Sequence, residues 1–237
     1  MKTLFTFFLP FVISFQLSAE DLGELIFQDD FERSESQEEK DEPGNGWGTN
    51  SKSRAQGDKQ VDLKDGTMRI FISPKADHGV SVTQPAEFTD GTVSLRFMLE
   101  DKKDSLGLNF ADPKFKGVHA GHLFKATIRP DRVELADWKT GTMRKDIRDT
   151  KKAGKPLSEE QKQAMVGKTN KIKHKTAVGK WHEVQVTVSG DEFSIKLNGK
   201  VIGSHKSPGF AHPTKRLLRL AVPRNVVIDD VKIWRKK

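Results

Sequence analysis

The segment Gly179–Trp234 constrains the fold of this 237-residue chain more than any other part of it. Apolar and polar residues alternate in the runs Trp181–Ser189 and Glu192–Leu197. A period of two is typical of half-buried β-strands. Asn198-Gly199 then precedes a third short run, Lys200–Ser204, and Asn-Gly is a strong hairpin signal because both central residues of a type I′ turn need positive φ. The segment therefore predicts three consecutive antiparallel strands.

Earlier parts of the chain repeat this pattern at intervals of about 8–12 residues, as β-sandwiches do. The predicted strands are Glu24–Asp30, Thr67–Ser73, Gly79–Gln84, Thr92–Glu100, Leu106–Ala111, His122–Ile128 and Arg132–Asp137. The lysine-rich residues 139–180 interrupt the rhythm, and Ser158 with Gln161 forms a capping box that predicts a helix to about Val166. The predicted fold class is all-β: a two-sheet antiparallel jelly-roll sandwich with one short helix in a basic insertion.

Three motifs near the end of the chain carry a family resemblance. They are Trp-His-Glu-Val from Trp181, Leu-Asn-Gly-Lys from Leu197 and Ile-Asp-Asp-Val-Lys-Ile-Trp from Ile228. These motifs resemble the concanavalin A-like (laminin G-like) lectin/glucanase sandwiches, and the chain is similar to secreted bacterial domains of the 3-keto-disaccharide hydrolase type. The resemblance implies a jelly roll and, if it extends to activity, hydrolysis of an oxidised glycoside. It assigns no catalytic residue to a numbered position here.

The first nineteen residues have the pattern of a secretory signal peptide. Lys2 precedes an apolar run from Leu4 to Phe15, and Leu17-Ser18-Ala19 provides a small-residue cleavage site. The run is too short for a membrane span, which needs about 20 apolar residues. We therefore expect an exported, periplasmic or extracellular protein in which residues 20–237 form one domain. The chain has no cysteine, so its core must fold without disulfides.

Charge is distributed unevenly along the chain. The net charge is +8, yet residues 20–45 hold eleven acidic residues against Arg33 and Lys40, so residues 46–237 carry +16. A basic body attracts polyanions, and an exported protein meets acidic or sulfated polysaccharide rather than nucleic acid. The lysine-rich insertion also suggests an acidic partner. The alternative interpretation is a solvated lysine surface that serves only solubility.

Histidines provide the candidate acid/base groups. His119 and His122 flank Ala-Gly ahead of a predicted strand, and they converge only if the backbone turns at Gly121. Together with Asp137 they are the set nominated for catalysis, should the chain be an enzyme. The alternative interpretation is that these histidines lie on the surface or form hydrogen bonds in the core.

Two tryptophans and a third histidine are candidate ligand-binding residues. Trp138 follows a strand end and Trp47 lies in a Gly-rich loop, so both rings are candidates for exposure and for stacking on a sugar. His212 lies in a loop before the penultimate strand. The alternative is that these aromatic rings contribute to packing.

No cofactor is indicated with certainty by the sequence, and the one candidate is a structural calcium ion. Terminal strands commonly pair in lectin-like sandwiches, which would bring Asp30 and Asp230 together. Ca²⁺ takes six to eight oxygen ligands, which carboxylates from two strands suit. The alternative is that these aspartates cap turns or pair with lysine and arginine.

Three functions remain open at this stage. The leading hypothesis is a non-catalytic, lectin-like module that binds polysaccharide on the concave sheet. The second is a glycoside hydrolase similar to the 3-keto-disaccharide hydrolases, and the third is a structural or partner-binding envelope protein. The Glu-x-Asp-x-x-Glu strand motif of retaining glucanases is absent, because Glu39 and Asp41 are followed by Gly44, so that activity is excluded.

Overall fold

Two antiparallel sheets packed face to face form the fold of the computed structural model, which describes residues 21–236. The predicted all-β jelly-roll sandwich is confirmed. The proposed signal peptide, residues 1–19, lies outside the described residues, so it stays a prediction. Within the described part no helix is long and apolar enough to cross a bilayer.

The strands in this part of the chain run, in order, β1 (Glu24–Asp29), β2 (Gly48–Thr49), β3 (Val61–Lys64), β4 (Thr67–Phe71), β5 (Val80–Phe88), β6 (Gly91–Met98), β7 (Leu106–Ala111), β8 (His122–Ile128), β9 (Arg132–Asp137), β10 (Thr169–Lys173), β11 (His182–Ser189), β12 (Glu192–Leu197), β13 (Lys200–Lys206), β14 (Lys215–Val222) and β15 (Asn225–Arg235). The helices are α1 (Ser51–Arg54), α2 (Lys145–Lys152) and α3 (Glu159–Ala164), with a 3₁₀ turn at His119–Gly121.

The first sheet, sheet A, has the order β13-β12-β11-β6-β15-β4-β3, and β1 pairs with the far part of β15. A bulge at Asp229–Asp230, where Asp230 has φ 48°, lets β15 leave β4 and pair with β1. The terminal strands are therefore neighbours, as the sequence predicts. The second sheet, sheet B, has the order β10-β9-β8-β7-β14-β5-β2.

Alternation of apolar and polar residues places one face of each sheet in the shared core. Phe110, Phe124, Phe193 and Phe210 meet between the sheets, with Phe110 stacked on Phe124 at 4.9 Å between centroids and Phe193 edge-on to Phe124 at 5.0 Å. Burying one such side chain stabilises the fold by roughly 1.5–3 kcal/mol. This core fixes the inward residues of sheet B, so the residues between them must face outward.

The strand predicted to stop at Gln84 continues to Phe88. The extended strand contains Pro85, a residue that lacks the N–H needed for a ladder hydrogen bond. The neighbouring strand β2 pairs only with Val82 and Thr83, so Pro85 lies beyond that pairing, where its missing N–H costs no ladder hydrogen bond on that side.

The basic insertion is more structured than the sequence predicts. The capping box at Ser158 and Gln161 is present and starts α3, as predicted. However, α2 is the longer helix, and its Ile147 is fully buried. In addition, β10 pairs with β9 along its whole length and becomes the last strand of sheet B. Asn170 Nδ2 on β10 also donates to the carbonyl oxygen of Ser204 on β13 at 2.8 Å. The insertion is therefore tied to the edge strands of both sheets.

Candidate functional site

Cross-strand register aligns one row of polar side chains on the outer face of sheet B. Arg219 on β14 pairs with Thr83 on β5 and with Asn109 on β7, and Asn109 pairs with Lys125 on β8. Leu218 and Leu220, on either side of Arg219, are fully buried. Because side chains alternate along a strand, burial of the leucines turns Arg219 outward.

A pocket of about 320 Å³ opens beside this row. Gly107, which has no side chain, and Ala221, which has only a methyl group, are paired neighbours in it, and they leave a recess. A β-carbon on Gly107 would lie 3.2 Å from the β-carbon of Ala221, so the two strands approach closely here. His122, Trp138 and Arg129 also line the pocket.

A register shift places His122 at the edge of this pocket. The pairing of β7 with β8 shifts between Phe110 and Ala111, so His122 and Lys125 both face outward although they are three residues apart. Immediately before it, Ala120 and Gly121 have φ 50° and 69°, and this turn brings the His119 ring to 6.3 Å from the His122 ring. The turn at Gly121 on which any approach of the two histidines depends is present, but His119 lines a neighbouring pocket and only His122 lines this one.

Arg219 and His122 form the electrostatic centre of the pocket. Arg219 Nη1 lies 3.0 Å from Nδ1 and 3.2 Å from Nε2 of His122, while Nη2 donates to the carbonyl oxygen of Ala120 at 3.0 Å. Burial, reinforced by the nearby Arg219 charge, lowers the pKa of His122 to about 3. The imidazole is therefore neutral at pH 7 and accepts a hydrogen bond from the permanently charged guanidinium.

Lys125 and Trp138 also line the pocket. The Lys125 Nζ lies 4.5 Å from the centre of the half-buried Trp138 ring, and the His122 ring meets the same indole edge-on at 5.3 Å. Burial lowers the pKa of Lys125, and Arg129 adds to the effect while Glu134 opposes it. A lower pKa increases the fraction of neutral amine, the form that can accept a proton.

Buried polar atoms without a protein partner point to a ligand at this surface. Within residues 21–236, Asn109 Oδ1, Thr127 Oγ1 and Arg129 Nε are buried and have no hydrogen-bond partner. All three residues line the pocket. An unpaired buried polar group costs roughly 1–3 kcal/mol, so a bound molecule or water that satisfies these atoms would be favoured.

No aspartate or glutamate lines the pocket among the described residues, whereas five arginines, lysines and histidines do. These basic residues are His78, His122, Lys125, Arg129 and Arg219. The site therefore favours anionic or electron-rich groups, and it lacks the carboxylate pair of a retaining or inverting glycosidase.

Asp137, the third member of the nominated catalytic set, does not join the two histidines. Its carboxylate is 1% exposed and accepts hydrogen bonds from Ser207 Oγ at 2.6 Å, Gly209 N at 3.0 Å and Thr140 N at 3.0 Å. Trp138, the next residue, lines the outer pocket instead. Asp137 therefore does not share a pocket with His119 and His122, because its carboxylate holds the loop before β14 in place.

Two of the three predicted ligand-binding residues are buried. Trp47 is 7% exposed, and its Nε1 donates to Asp29 Oδ2 at 2.7 Å, so this nominated ring serves packing instead. His212 is 4% exposed, and its Nε2 lies 3.1 Å from Asp112 Oδ2. Neither side chain presents a surface to a sugar, whereas Trp138 does.

Asp30 and Asp230 line one shallow pocket of about 400 Å³ between the terminal strands, as the pairing of β1 with β15 requires. Two arginines form ion pairs beside this pocket. Arg96 Nη1 lies 3.4 Å from Asp230 Oδ2, and Arg33 binds the neighbouring Asp29 through two nitrogens. Calcium at this position stays a prediction. The positive charges observed beside these aspartates are the guanidinium groups of Arg96 and Arg33.

One group of three acidic side chains close enough to share a cation is found within residues 21–236, namely Glu35, Glu38 and Asp62. Lys59 Nζ lies among them, 2.7 Å from Glu35, 3.3 Å from Glu38 and 2.5 Å from Asp62. These contacts raise the pKa of Lys59 above its ordinary value despite the opposing effect of burial. An ammonium group therefore already neutralises this cluster.

Four further residues of the pocket, Lys125, Arg219, Asn109 and Arg129, were not predicted from the sequence. A signal for Arg219 exists in the run Leu217–Val222, where one arginine alternates with buried leucines and so must face outward. For Lys125 no such signal is available, because strict alternation would place it opposite His122. Only the register shift brings the two together.

Solved structures with a similar fold are carbohydrate-active jelly rolls. The laminarinase from Rhodothermus marinus superposes with a TM-score of 0.58 at 11% identity, covering 90% of this chain and 97% of that one. Porphyranase B from Zobellia galactanivorans gives 0.55 at 14% identity, covering 90% and 92%. Carbohydrate-binding module CBM66 from Bacillus subtilis gives 0.51 at 15%, covering 80% and 95%. At such low identity these structures define the concanavalin A-like glucanase-type fold alone.

The family is defined by sequence. A family described as the 3-keto-alpha-glucoside-1,2-lyase-like domain matches residues 38–232, which is most of the chain. The protein belongs to this family. No curated protein sequence matches this chain.

Proposed function

We propose that this protein binds a 3-keto-glycoside in the outer pocket of sheet B and cleaves it by elimination across C1 and C2. The observation that carries the proposal is the placement of neutral His122 and the partly desolvated Lys125 against the same Trp138 ring, in a pocket without carboxylates among the described residues. Strongly perturbed pKa values in a cleft favour a functional site. Membership of a 1,2-lyase-like family supports this reaction class.

The chemistry of the substrate defines what the pocket must do. A ketone at C3 makes the C2 proton acidic, since the resulting negative charge spreads onto the ketone oxygen. Loss of that proton and departure of the C1 oxygen with its bonding electrons give a 1,2-unsaturated 3-keto sugar. The leaving oxygen takes up a proton and departs as an alcohol. No oxidant, reductant or water is consumed.

Lys125 is the proposed proton acceptor. Buried lysines shift their pKa readily, and the neutral amine is a stronger base than an imidazole whose pKa is about 3. His122 and Arg219 then act on the developing oxyanion, with Arg219 supplying charge and His122 a hydrogen bond from a neutral ring. Trp138 provides a flat apolar surface for the sugar ring.

The test uses a 4-nitrophenyl 3-keto-α-glucoside and the full chain in D₂O. We expect release of 4-nitrophenol together with an unsaturated 3-keto sugar, and exchange of the C2 proton detected by NMR. Lys125→Met is expected to lower kcat/KM by roughly 10²–10⁴-fold, the usual contribution of an acid/base group. The matched control Lys171→Met removes an exposed lysine from β10, outside the pocket, and should retain the rate.

Two outcomes would overturn the reaction. The first is an absence of both cleavage and C2 exchange in the unmodified protein. The second is a rate in Lys125→Met and His122→Asn that stays within threefold of the unmodified protein, measured on variants with unchanged melting temperatures.

Non-catalytic binding of an acidic or sulfated glycan is the second candidate function. The observation that favours it is the excess of positive charge around the half-buried Trp138 ring. Retention on a sulfated polysaccharide without cleavage of any 3-keto-glycoside would support it. Equal retention on the neutral form of the same polysaccharide would exclude it.

A further inference from the structure

A second and larger cleft, of about 880 Å³, opens at the end of the β8–β9 hairpin. One wall is the loop before β7, and the other is the segment 174–178 after β10. Backbone hydrogen bonds fix both walls: Thr176 N donates to Pro130 O at 2.9 Å, and Gly179 N donates to Leu99 O at 2.8 Å. The cleft is therefore a preformed feature of the sandwich.

Positive charge dominates the cleft. Its lining contains the basic residues Lys102, Lys103, Arg129, Arg132 and Lys175 and the acidic residues Asp104 and Asp131. Both acids are already engaged. Asp104 accepts hydrogen bonds from the backbone of Glu100 and Asp101, and Asp131 pairs with Arg132 at 2.8 Å.

The remaining four basic residues, Lys102, Lys103, Arg129 and Lys175, have no ion-pair partner among residues 21–236. Such an arrangement leaves a concentrated field that favours an anion. Two buried atoms without a hydrogen-bond partner add to this: Arg129 Nε and Thr176 Oγ1. Thr176 is 3% exposed, so bulk water reaches its hydroxyl group poorly. Both atoms can donate to an oxyanion.

Arg129 connects this cleft with the outer pocket of sheet B, because it lines both. Along β8 the chain runs from His122, beside the proposed reaction site, to Arg129 at the strand end. Seven residue steps at about 3.3 Å each separate the two α-carbons by roughly 23 Å. A ligand longer than one sugar unit can therefore occupy both places.

We infer that the cleft is a subsite for an anionic substituent, a carboxylate or sulfate ester, on an oligosaccharide whose other end occupies the outer pocket. Arg129 joins the two sites, Lys102, Lys103 and Lys175 attract the charge, and Thr176 donates to it. Pro130, Ala177 and Val178 add apolar surface for the sugar that carries the charged group. This assignment rests on the proposed function only in taking the outer pocket as the glycoside site.

The experiment measures affinity for a sulfated oligosaccharide, its desulfated form and inorganic sulfate by calorimetry. The triple variant Lys102→Met/Lys103→Met/Lys175→Met should lose at least about tenfold in affinity for the sulfated form, and little for the desulfated one. The control Lys52→Met/Lys200→Met/Lys171→Met removes three exposed lysines outside the cleft and should change affinity less than threefold. Thr176→Val tests the hydroxyl, since it should weaken sulfated binding while leaving the melting temperature equal or higher.

The outcomes separate this inference from the proposed reaction. Cleavage of a small, uncharged 3-keto-glycoside should be unaffected by the triple variant, because that substrate does not reach the cleft. Cleft-dependent binding without any cleavage would retain the subsite and reject the reaction. Equal affinity for sulfated and desulfated forms would reject the subsite, as would equal loss in the triple and control variants. Binding of inorganic sulfate that gives the oligosaccharide no advantage would also reject it.

Discussion

Asp137 and Trp138 are consecutive residues that serve opposite faces of sheet B. The Asp137 carboxylate is buried on the loop that leads into β14, bound to Ser207 and Gly209, whereas the Trp138 ring lines the outer pocket beside His122 and Lys125. One short segment therefore anchors the scaffold and presents the ligand surface. The two roles can be tested separately.

Asp137→Ala should destabilise the protein without changing the outer pocket. Its carboxylate loses partners that include Ser207 and Gly209, and those donors become unpaired, so the free energy of unfolding should fall by about 3 kcal/mol. Urea denaturation measures this change. Asp131→Ala, which removes an exposed partner of Arg132, is the control and should cost less than about 0.5 kcal/mol. Equal effects of the two substitutions would contradict the anchoring role.

The pH dependence of stability should carry a contribution from His122. Its pKa is about 3 in the folded protein and near 6.5 when unfolded, so between these values the unfolded chain binds more protons. This contribution is fully present above pH 6.5 and is lost as the pH falls toward 3, by about 2 kcal/mol between pH 7 and pH 5.

His122→Asn should flatten the stability profile over that interval relative to the unmodified protein. Chemical denaturation at several pH values measures it, and other titrating groups cancel in the difference. An NMR titration that places the His122 pKa near 6.5 would refute the desolvation of this ring.

Salt should distinguish the contributions of charge and stacking to glycan binding. Exposed charges are screened over about 8 Å at physiological ionic strength, so affinity for an acidic glycan should fall steeply with added salt. Any component that resists salt should be lost in Trp138→Ala, since stacking does not depend on ionic strength. Persistence of that component in the variant would place the aromatic contact elsewhere.

The insertion should contribute to global stability through its buried residue. Ile147→Ala removes a fully buried side chain on α2 and should cost roughly 2–5 kcal/mol. Val166→Ala, at a position 64% exposed, is the matched control and should change the free energy of unfolding by less than about 0.5 kcal/mol. If both substitutions are neutral, the insertion packs less tightly than the structure indicates.

Local alternation was sufficient to predict most of the sheets. The strands Leu106–Ala111, His122–Ile128 and Arg132–Asp137 have the predicted bounds, because each alternates or is apolar and ends at turn residues. The strand Thr169–Lys173 was missed because its composition resembles a solvated loop, and only pairing with β9 makes it regular.

The candidate site was predictable only in part. The sequence indicates Gly121 as the place where a turn would bring His119 near His122, and the structure has a turn there. By contrast, Lys125 joins His122 through a register shift, and the Asp137 side chain turns inward because the distant residues Ser207 and Gly209 bind it. Such long-range partners leave no periodic trace in the sequence.

The contact between Asn170 on β10 and Ser204 on β13 has a consequence for behaviour at high protein concentration. These strands are the outermost strands of sheets B and A on the same side of the sandwich. Exposed strand edges are templates for aggregation, and proteins cover or charge them to avoid it. Here the two edges lie against one another, and β10 adds outward lysines. Because β10 belongs to the basic insertion, the insertion should reduce pairing of these strand edges with the edges of other molecules.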